Sequence, residues 1–249
     1  APVGLIGMQH ADGEIHAARA AEKFGIPFTL STMSICPIED ISQHTRAPFW
    51  FQLYMMRDRE AMARMIGRAR DAKCSALVLT LDLQVIGQRH KDLKNKMRAS
   101  AVPTLGNVLN MVSKPRWCLG MAGTRRHTFR NLVGHVSGVS DMASLASWTN
   151  EQFDPRLSWA DVAWVKERWG GKLILKGIMD VEDAQLAVKA GADQFLTKPV
   201  DLGGLAVDQF RISSRPAASA ARPTRAAARG CRRRRSAPGR RRSGRPPCR

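Results

Sequence analysis

Lys172-Leu173-Ile174-Leu175-Lys176-Gly177-Ile178 is the stretch that decides the fold. It is a continuous apolar run entered from the Gly170-Gly171 pair, as a buried parallel strand requires. One lysine, Lys176, stands at its C-terminal end. A lysine there either leaves the core or serves chemistry, and the C-terminal ends of parallel strands are where β/α barrels place their sites. The pattern recurs upstream. Ala76-Leu77-Val78-Leu79-Thr80-Leu81-Asp82 ends in Thr80 and Asp82, Phe49-Trp50-Phe51-Gln52-Leu53-Tyr54 carries Gln52 and Tyr54, and Phe28-Thr29-Leu30-Ser31-Thr32 ends in hydroxyls. Four apolar strands with polar groups near their ends suggest one site on one barrel.

Strand and helix signals alternate up to about residue 193. A strand is expected near 2–6, then a helix over 12–24 with Ala17, Ala18, Ala20, Ala21 and Phe24 on one face. A strand at 27–31 precedes a short helix at 37–44. The strand at 49–54 leads to a helix at 58–72, with Asp58 as N-cap and Met62, Met65, Ile66 and Ala69 at helical spacing. After the strand at 76–82 comes a long interruption. Ser158 then caps a helix bearing Val162, Val165 and Trp169, followed by a strand at 173–177 and a helix at 181–190. Five β-α repeats predict an α/β fold: a partial (β/α)8 TIM barrel with about five of the eight units. The domain so defined is 1–193.

The interruption, 85–157, is far longer than an ordinary βα loop. No acidic residue lies between Asp92 and Asp141, whereas Lys94, Lys96, Arg98, Lys114, Arg116, Arg125, Arg126 and Arg130 do. Met111, Trp117, Leu119 and Met121 are interleaved with them. Basic and apolar residues together fit a segment lying on a membrane surface or an anionic partner. A solvated lid is the plainer alternative.

Charge is unevenly placed. The 249 residues carry a net +19, but residues 211–249 hold 14 Arg with no Lys, Asp or Glu, and so supply +14 of it. The remaining residues carry only +5, so the basic character belongs to a tail. Residues 194–249 break the barrel pattern, and beyond Arg211 the composition buries too little apolar surface to fold. A basic arm binding nucleic acid by counterion release is one reading. A shifted reading frame in GC-rich DNA is the other, favoured because Lys is missing and no aromatic follows Phe210 to stack on bases. Specific nucleic-acid binding is therefore not expected.

The five cysteines, at 36, 74, 118, 231 and 248, include no C-x-x-C pair and no zinc-ligand spacing with histidine. An odd count without a signal peptide points to a reducing, cytoplasmic setting. No apolar run is long enough to span a membrane. Ala1-Pro2-Val3-Gly4-Leu5 reads as a strand already under way, which suggests truncation at the N-terminus.

Ala1-Pro2-Val3-Gly4-Leu5, Thr29-Leu30-Ser31-Thr32, Phe51-Gln52-Leu53-Tyr54, Leu79-Thr80-Leu81-Asp82, Gly87-Gln88-Arg89-His90-Lys91-Asp92 and Ile174-Leu175-Lys176-Gly177 follow one another in the order of a known family. Over residues 1 to about 193 the chain resembles the FMN-dependent L-2-hydroxy acid dehydrogenases and oxidases, and among them the bacterial respiratory L-lactate dehydrogenases. The 117–134 stretch and Ser158-Trp159 also resemble that branch.

The resemblance implies a (β/α)8 barrel with FMN across its C-terminal mouth and oxidation of L-lactate to pyruvate. It places the backbone of Ala1, Pro2 and Val3 against the flavin ring. Ser31, Gln52 and Thr80 would bond the ring edge, and Lys176 would lie by its N1/O2 side. A fixed cation there would stabilise the negative charge that reduction brings. Tyr54 and Arg89 match the substrate residues, Arg89 gripping the carboxylate. Each has a plainer alternative: strand-end caps for Ser31 and Thr80, a helix-facing position for Gln52 and Tyr54, a loop charge for Arg89. Asp82 is read as structural.

The resemblance further implies a quinone or cytochrome acceptor, a homo-oligomer when intact, and contact through 93–140 with the cytoplasmic face of the inner membrane. The family's proton-accepting histidine lies in a Ser-Asn-His-Gly-Gly segment expected after Ala192-Asp193. Gln194-Phe195-Leu196-Thr197-Lys198-Pro199 stands there instead, so no catalytic residue is assigned and inactivity is expected.

Overall fold

The computed structural model describes residues 2–83, 90, 105–136, 148, 151–152 and 156–197. The Arg-rich tail and most of 84–104 lie outside them. Five strands form one all-parallel sheet in the order of the sequence: β1 Thr29–Ser31, β2 Trp50–Tyr54, β3 Ala76–Thr80, β4 Lys172–Ile178 and β5 Gln194–Thr197. The helices are α1 Ile6–Gln9, α2 Gly13–Phe24, α3 Ile38–His44, α4 Arg59–Asp71, α5 Leu105–Val112, α6 Pro115–Gly123, α7 Trp159–Trp169 and α8 Val181–Lys189. Neighbouring parallel strands joined through helices give the partial β/α barrel that the alternation predicts.

Local chemistry sets the helix ends. The Asp58 carboxylate accepts the Ala61 N–H at 2.8 Å, so the expected cap of α4 is formed. The Ser158 N–H donates to Asp161 at the start of α7, and Asp180 accepts from the Asp183 N–H at the start of α8. Gly25 and Gly170 close α2 and α7 with φ of +68° and +66°, values that favour glycine.

The sheet is buried by alternate residues. Leu30, Phe51, Leu53, Leu77, Leu79, Leu173 and Leu175 face the helices and join Ile15, Ile41, Met62, Met65, Ile66, Val162 and Val165 in the main core. Each such side chain contributes about 1.5–3 kcal/mol when fully buried. The opposite parity packs separately: Ala76, Val78 and Ile174, with Trp50 and Leu196 against them.

Two expectations need correcting. Residues 2–6 do not form a strand. Pro2 has no N–H to give to a ladder, Leu5 takes a φ of +62°, and α1 begins at Ile6. The Leu5 N–H bonds Met33 O instead, beyond the end of β1. Nor does the barrel pattern stop at 193: Gln194–Thr197 pairs with β4 as β5, with Ile174 opposite Gln194 and Lys176 opposite Leu196. Phe195 falls on the helix-facing side and packs against the main core.

The long insert is not uniformly a surface excursion. α5 and α6 are largely exposed, but Phe129, Leu132 and Val136 enter the main core. Thr124 and Arg126 bind Asp12, Arg126 also binds Asp40, and Arg68 joins Glu39 to the Asn131 carbonyl. Among the described residues no helix is long and apolar enough to cross a membrane.

Candidate functional site

The strand register brings the sequence candidates onto one side of the sheet. Ser31 lies opposite Gln52, Tyr54 opposite Thr80, and Thr80 opposite Lys176. All share the parity of the small cluster and lie at or near the C-terminal ends of their strands. Strand alternation, not proximity in sequence, collects them.

They form a connected row. The Ser31 hydroxyl donates to Gln52 Oε1 at 3.1 Å, and Gln52 Nε2 donates to Thr80 Oγ1 at 2.9 Å. Ser31 Oγ also accepts the Met33 N–H at 3.2 Å. Gln52 is fully buried and Ser31 and Thr80 nearly so, which makes these bonds costly to break. The row orients the Gln52 amide. The alternative of a helix-facing Gln52 does not hold. Tyr54 shares the parity of Gln52 but sits at the strand end, half-buried, where it also packs against the main core.

Lys176 continues the row across β4. Its Nζ lies 3.4 Å from Asp82 Oδ1, and Asp82 follows the end of β3 with its side chain 7% exposed. Gly177 makes that approach possible. Its φ is +101°, and a Cβ there would stand 2.6 Å from the Asp82 side chain. The sequence reading took Asp82 as structural and missed this pairing; the glycine directly after the lysine was the available signal.

Pro2 is half-buried and Val3 exposed, and the two residues that follow them approach Met33 beyond the β1 end. The Leu5 N–H donates to Met33 O at 3.0 Å, and a Cβ on Gly4 would stand 3.1 Å from that oxygen. Ala1 and Arg89 lie outside the described residues.

A cleft of about 370 Å³ opens beside this row, lined by Leu81, Asp82, Trp159, Gly177, Met179 and Asp183 among others. It shares Asp82 and Gly177 with the lysine pair but none of Ser31, Gln52, Thr80 and Lys176.

The remaining reactive groups point elsewhere. Burial pushes the Cys74 thiol up to about 12 and the Cys36 thiol higher still, so neither is a thiolate nucleophile. Among the described residues no cluster of His, Cys, Asp and Glu could hold a metal ion. Sequence reasoning also missed Asn131, which is fully buried at the root of the insert. It carries no periodic or motif signal.

A second surface is apolar. Leu105, Leu109 and Val112 of α5 and Leu119 of α6 are more than half exposed, with Lys114 and Arg116 between them in sequence.

Comparison with known proteins gives these geometries a context. L-lactate dehydrogenase of Acinetobacter baylyi (strain ATCC 33305 / BD413 / ADP1) is 39% identical over 222 residues, covering 88% of this chain and 57% of that protein. The crystal structure of the monotopic membrane protein (S)-mandelate dehydrogenase superposes with a TM-score of 0.72 at 34% identity, over 78% of this chain and 51% of that one. The crystal structure of mandelate oxidase gives 0.58 at 31% identity, over 78% and 46%. The chain thus spans about half the length of the relatives it matches. Residues 1–196 match the family model described as FMN-dependent dehydrogenase, and β5 closes that match. The chain belongs to the FMN-dependent dehydrogenase family.

Proposed function

We propose that this chain carries part of a site for FMN-dependent oxidation of an L-2-hydroxy acid, L-lactate, to the 2-oxo acid pyruvate. The observation that carries this reading is the row Ser31, Gln52, Thr80 and Lys176 on one side of the sheet. The row suits the edge of an isoalloxazine. It offers hydroxyl and amide hydrogen-bonding groups for the ring's oxygens and nitrogens, and one fixed cation. Bound FMN would supply the acceptor for the hydride leaving the substrate carbon. The chain's own residues then have distinct tasks. Lys176 holds positive charge where the ring gains negative charge. Ser31, Gln52 and Thr80 would hold the ring's edge at the strand ends. The backbone of Ala1, Pro2 and Val3 supports its face. Arg89 binds the substrate carboxylate as a bidentate donor, and Tyr54 bonds the substrate beside it.

Loss of turnover in this chain is part of the proposal. The substrate hydroxyl needs a proton acceptor, and β5 runs into Lys198-Pro199-Val200 without a histidine. General-base assistance contributes ~10²–10⁴-fold to such steps. The contacts assigned here are to the ring alone, so FMN is expected to bind weakly. Titrating the purified chain with FMN and following fluorescence quenching tests the site. Adding L-lactate without oxygen and watching the flavin's visible absorption tests turnover. Saturable, weak binding without bleaching is expected. No binding overturns the cofactor reading, and bleaching by lactate overturns the loss of activity.

The exposed apolar side chains of α5 and α6, interleaved with basic residues, support peripheral attachment at the cytoplasmic face of the inner membrane. A quinone or cytochrome acceptor and a homo-oligomer of the intact protein belong to the same reading. Leu109→Asp should reduce co-sedimentation with anionic vesicles. The Arg-rich tail favours a second reading, nucleic-acid binding without enzymatic activity. Salt-dependent, sequence-specific DNA binding lost on deleting 211–249 would establish it.

A further inference from the structure

We propose that Asn131, supplied by the long insert, is a positioning residue of the cofactor site. This rests on the reading of the Ser31 row as the flavin edge. Asn131 is fully buried, and its amide is used at both ends. Nδ2 donates to Ser34 Oγ at 2.8 Å and to Ser31 O at 3.4 Å, while Oδ1 accepts the Ile38 N–H at 3.0 Å. Arg68 adds a bond to Oδ1 and another to the Asn131 carbonyl. The residues so gripped are the two ends of a tight turn, since the Ser34 N–H bonds Ser31 O. The middle of that turn matters most. The Met33 N–H donates to Ser31 Oγ, and its carbonyl accepts the Leu5 N–H. Asn131 therefore sets, through one turn, both the Ser31 hydroxyl in the polar row and the 2–4 segment beside it. Apart from Arg68, its own side-chain bonds run to Ser31 O, Ser34 and Ile38, and it acts on the row through them.

An apolar core residue at 131 would fill space, and a hydroxyl has one proton to give; a primary amide donates twice to the turn and still accepts from Ile38. That separates two variants. Asn131→Asp keeps the acceptor and a charge partner in Arg68 but loses the donors to Ser31 and Ser34. Asn131→Ala loses every side-chain bond and keeps only the backbone carbonyl for Arg68. Leu132→Ala, next to it and fully buried, weakens the same root by packing alone. The test is FMN affinity of the full chain by fluorescence titration, with melting temperature and amide hydrogen exchange beside it. Asn131→Asp is expected to weaken FMN binding at least ten-fold with a smaller melting loss than Leu132→Ala. The Leu5 amide, which Asn131 does not contact, should exchange at least ten-fold faster in both Asn131 variants and at the wild-type rate in Leu132→Ala. FMN affinity within two-fold of wild type in Asn131→Asp, or equal Leu5 exchange in all variants, overturns the assignment. A wild-type chain that binds no FMN overturns the reading of the site itself, and this assignment with it.

Discussion

The two sides of the sheet follow opposite rules although they are made from the same strands. On the helix side every strand residue from Leu30 through Leu175 in the main core is apolar, and nearly all are inaccessible. On the other side only Ala76, Val78 and Ile174 form a buried cluster, and the layer nearer the strand ends is polar: Ser31, Gln52, Thr80 and Lys176. The first side stabilises the fold. The second leaves polar groups in fixed places, at a cost in burial that only hydrogen bonding offsets. Alternation with a period of two lets one strand do both.

The comparison can be broken most forcefully from the helix side. Leu79→Ala removes a fully buried side chain and should destabilise by about 2–5 kcal/mol in denaturant titration, with the flavin site affected only through unfolding. An unchanged midpoint would show that this side is not the stabilising one. Gly177→Ala strikes where the sides meet. Its φ of +101° and the 2.6 Å approach to Asp82 predict a loss of about 1–3 kcal/mol together with displacement of Asp82 from Lys176. Lys176→Met should weaken FMN binding about ten-fold, roughly 1.4 kcal/mol, with a melting loss smaller than that of Leu79→Ala. Equal losses of stability and affinity would erase the division of labour.

The smallest effect lies off both sides, at the root of the insert. Hydrogen bonds from Arg68 hold the Glu39 carboxyl below its ordinary value, outweighing its partial burial. A depressed folded value means that the ionised form stabilises. That stability is present above the unfolded value near 4.5 and is lost as pH falls through the folded one. Glu39 is nearly half exposed, so the contribution is that of a screened pair, about 0.2–1 kcal/mol. Glu39→Gln should flatten the melting-temperature profile below pH 4.5 and lower it slightly at neutral pH. An unaltered acid limb would remove Glu39 from the account.

Legibility in the sequence followed the same division. The helix-side residues announced β2, β3 and β4 as apolar runs, and the structure places them at 50–54, 76–80 and 172–178. The site residues within them were legible as polar breaks near strand ends. β5 was not, because its four residues include polar Gln194 and Thr197 at the ends and leave too short an apolar run. Its signal was positional: it follows Gly191-Ala192-Asp193 after α8 as β4 follows Gly170-Gly171 after α7. The false strand at 2–6 shows the converse, since apolar residues alone do not supply the N–H that Pro2 lacks. Asn131 was invisible for a different reason. A single amide in a basic, irregular stretch has no period, and only tertiary contact reveals its use.

The contacts that anchor the insert also bear on the order in which the molecule assembles. Ser31 and Gln52 are 21 residues apart, whereas Asn131 meets Ile38 across 93 residues and Arg126 meets Asp12 across 114. On the (3/2)RT ln n scaling, closing the longest of these loops costs about 1.5 kcal/mol more than closing the shortest. That penalty is best met after β1, β2 and β3 have paired, so the insert's root docks late onto those strands, together with β4, which the same insert separates from β3. The polar row would then exist in outline before the turn that presents Ser31 is locked. A refolding chain would gain its secondary structure first and its flavin-binding competence in a slower, separate phase.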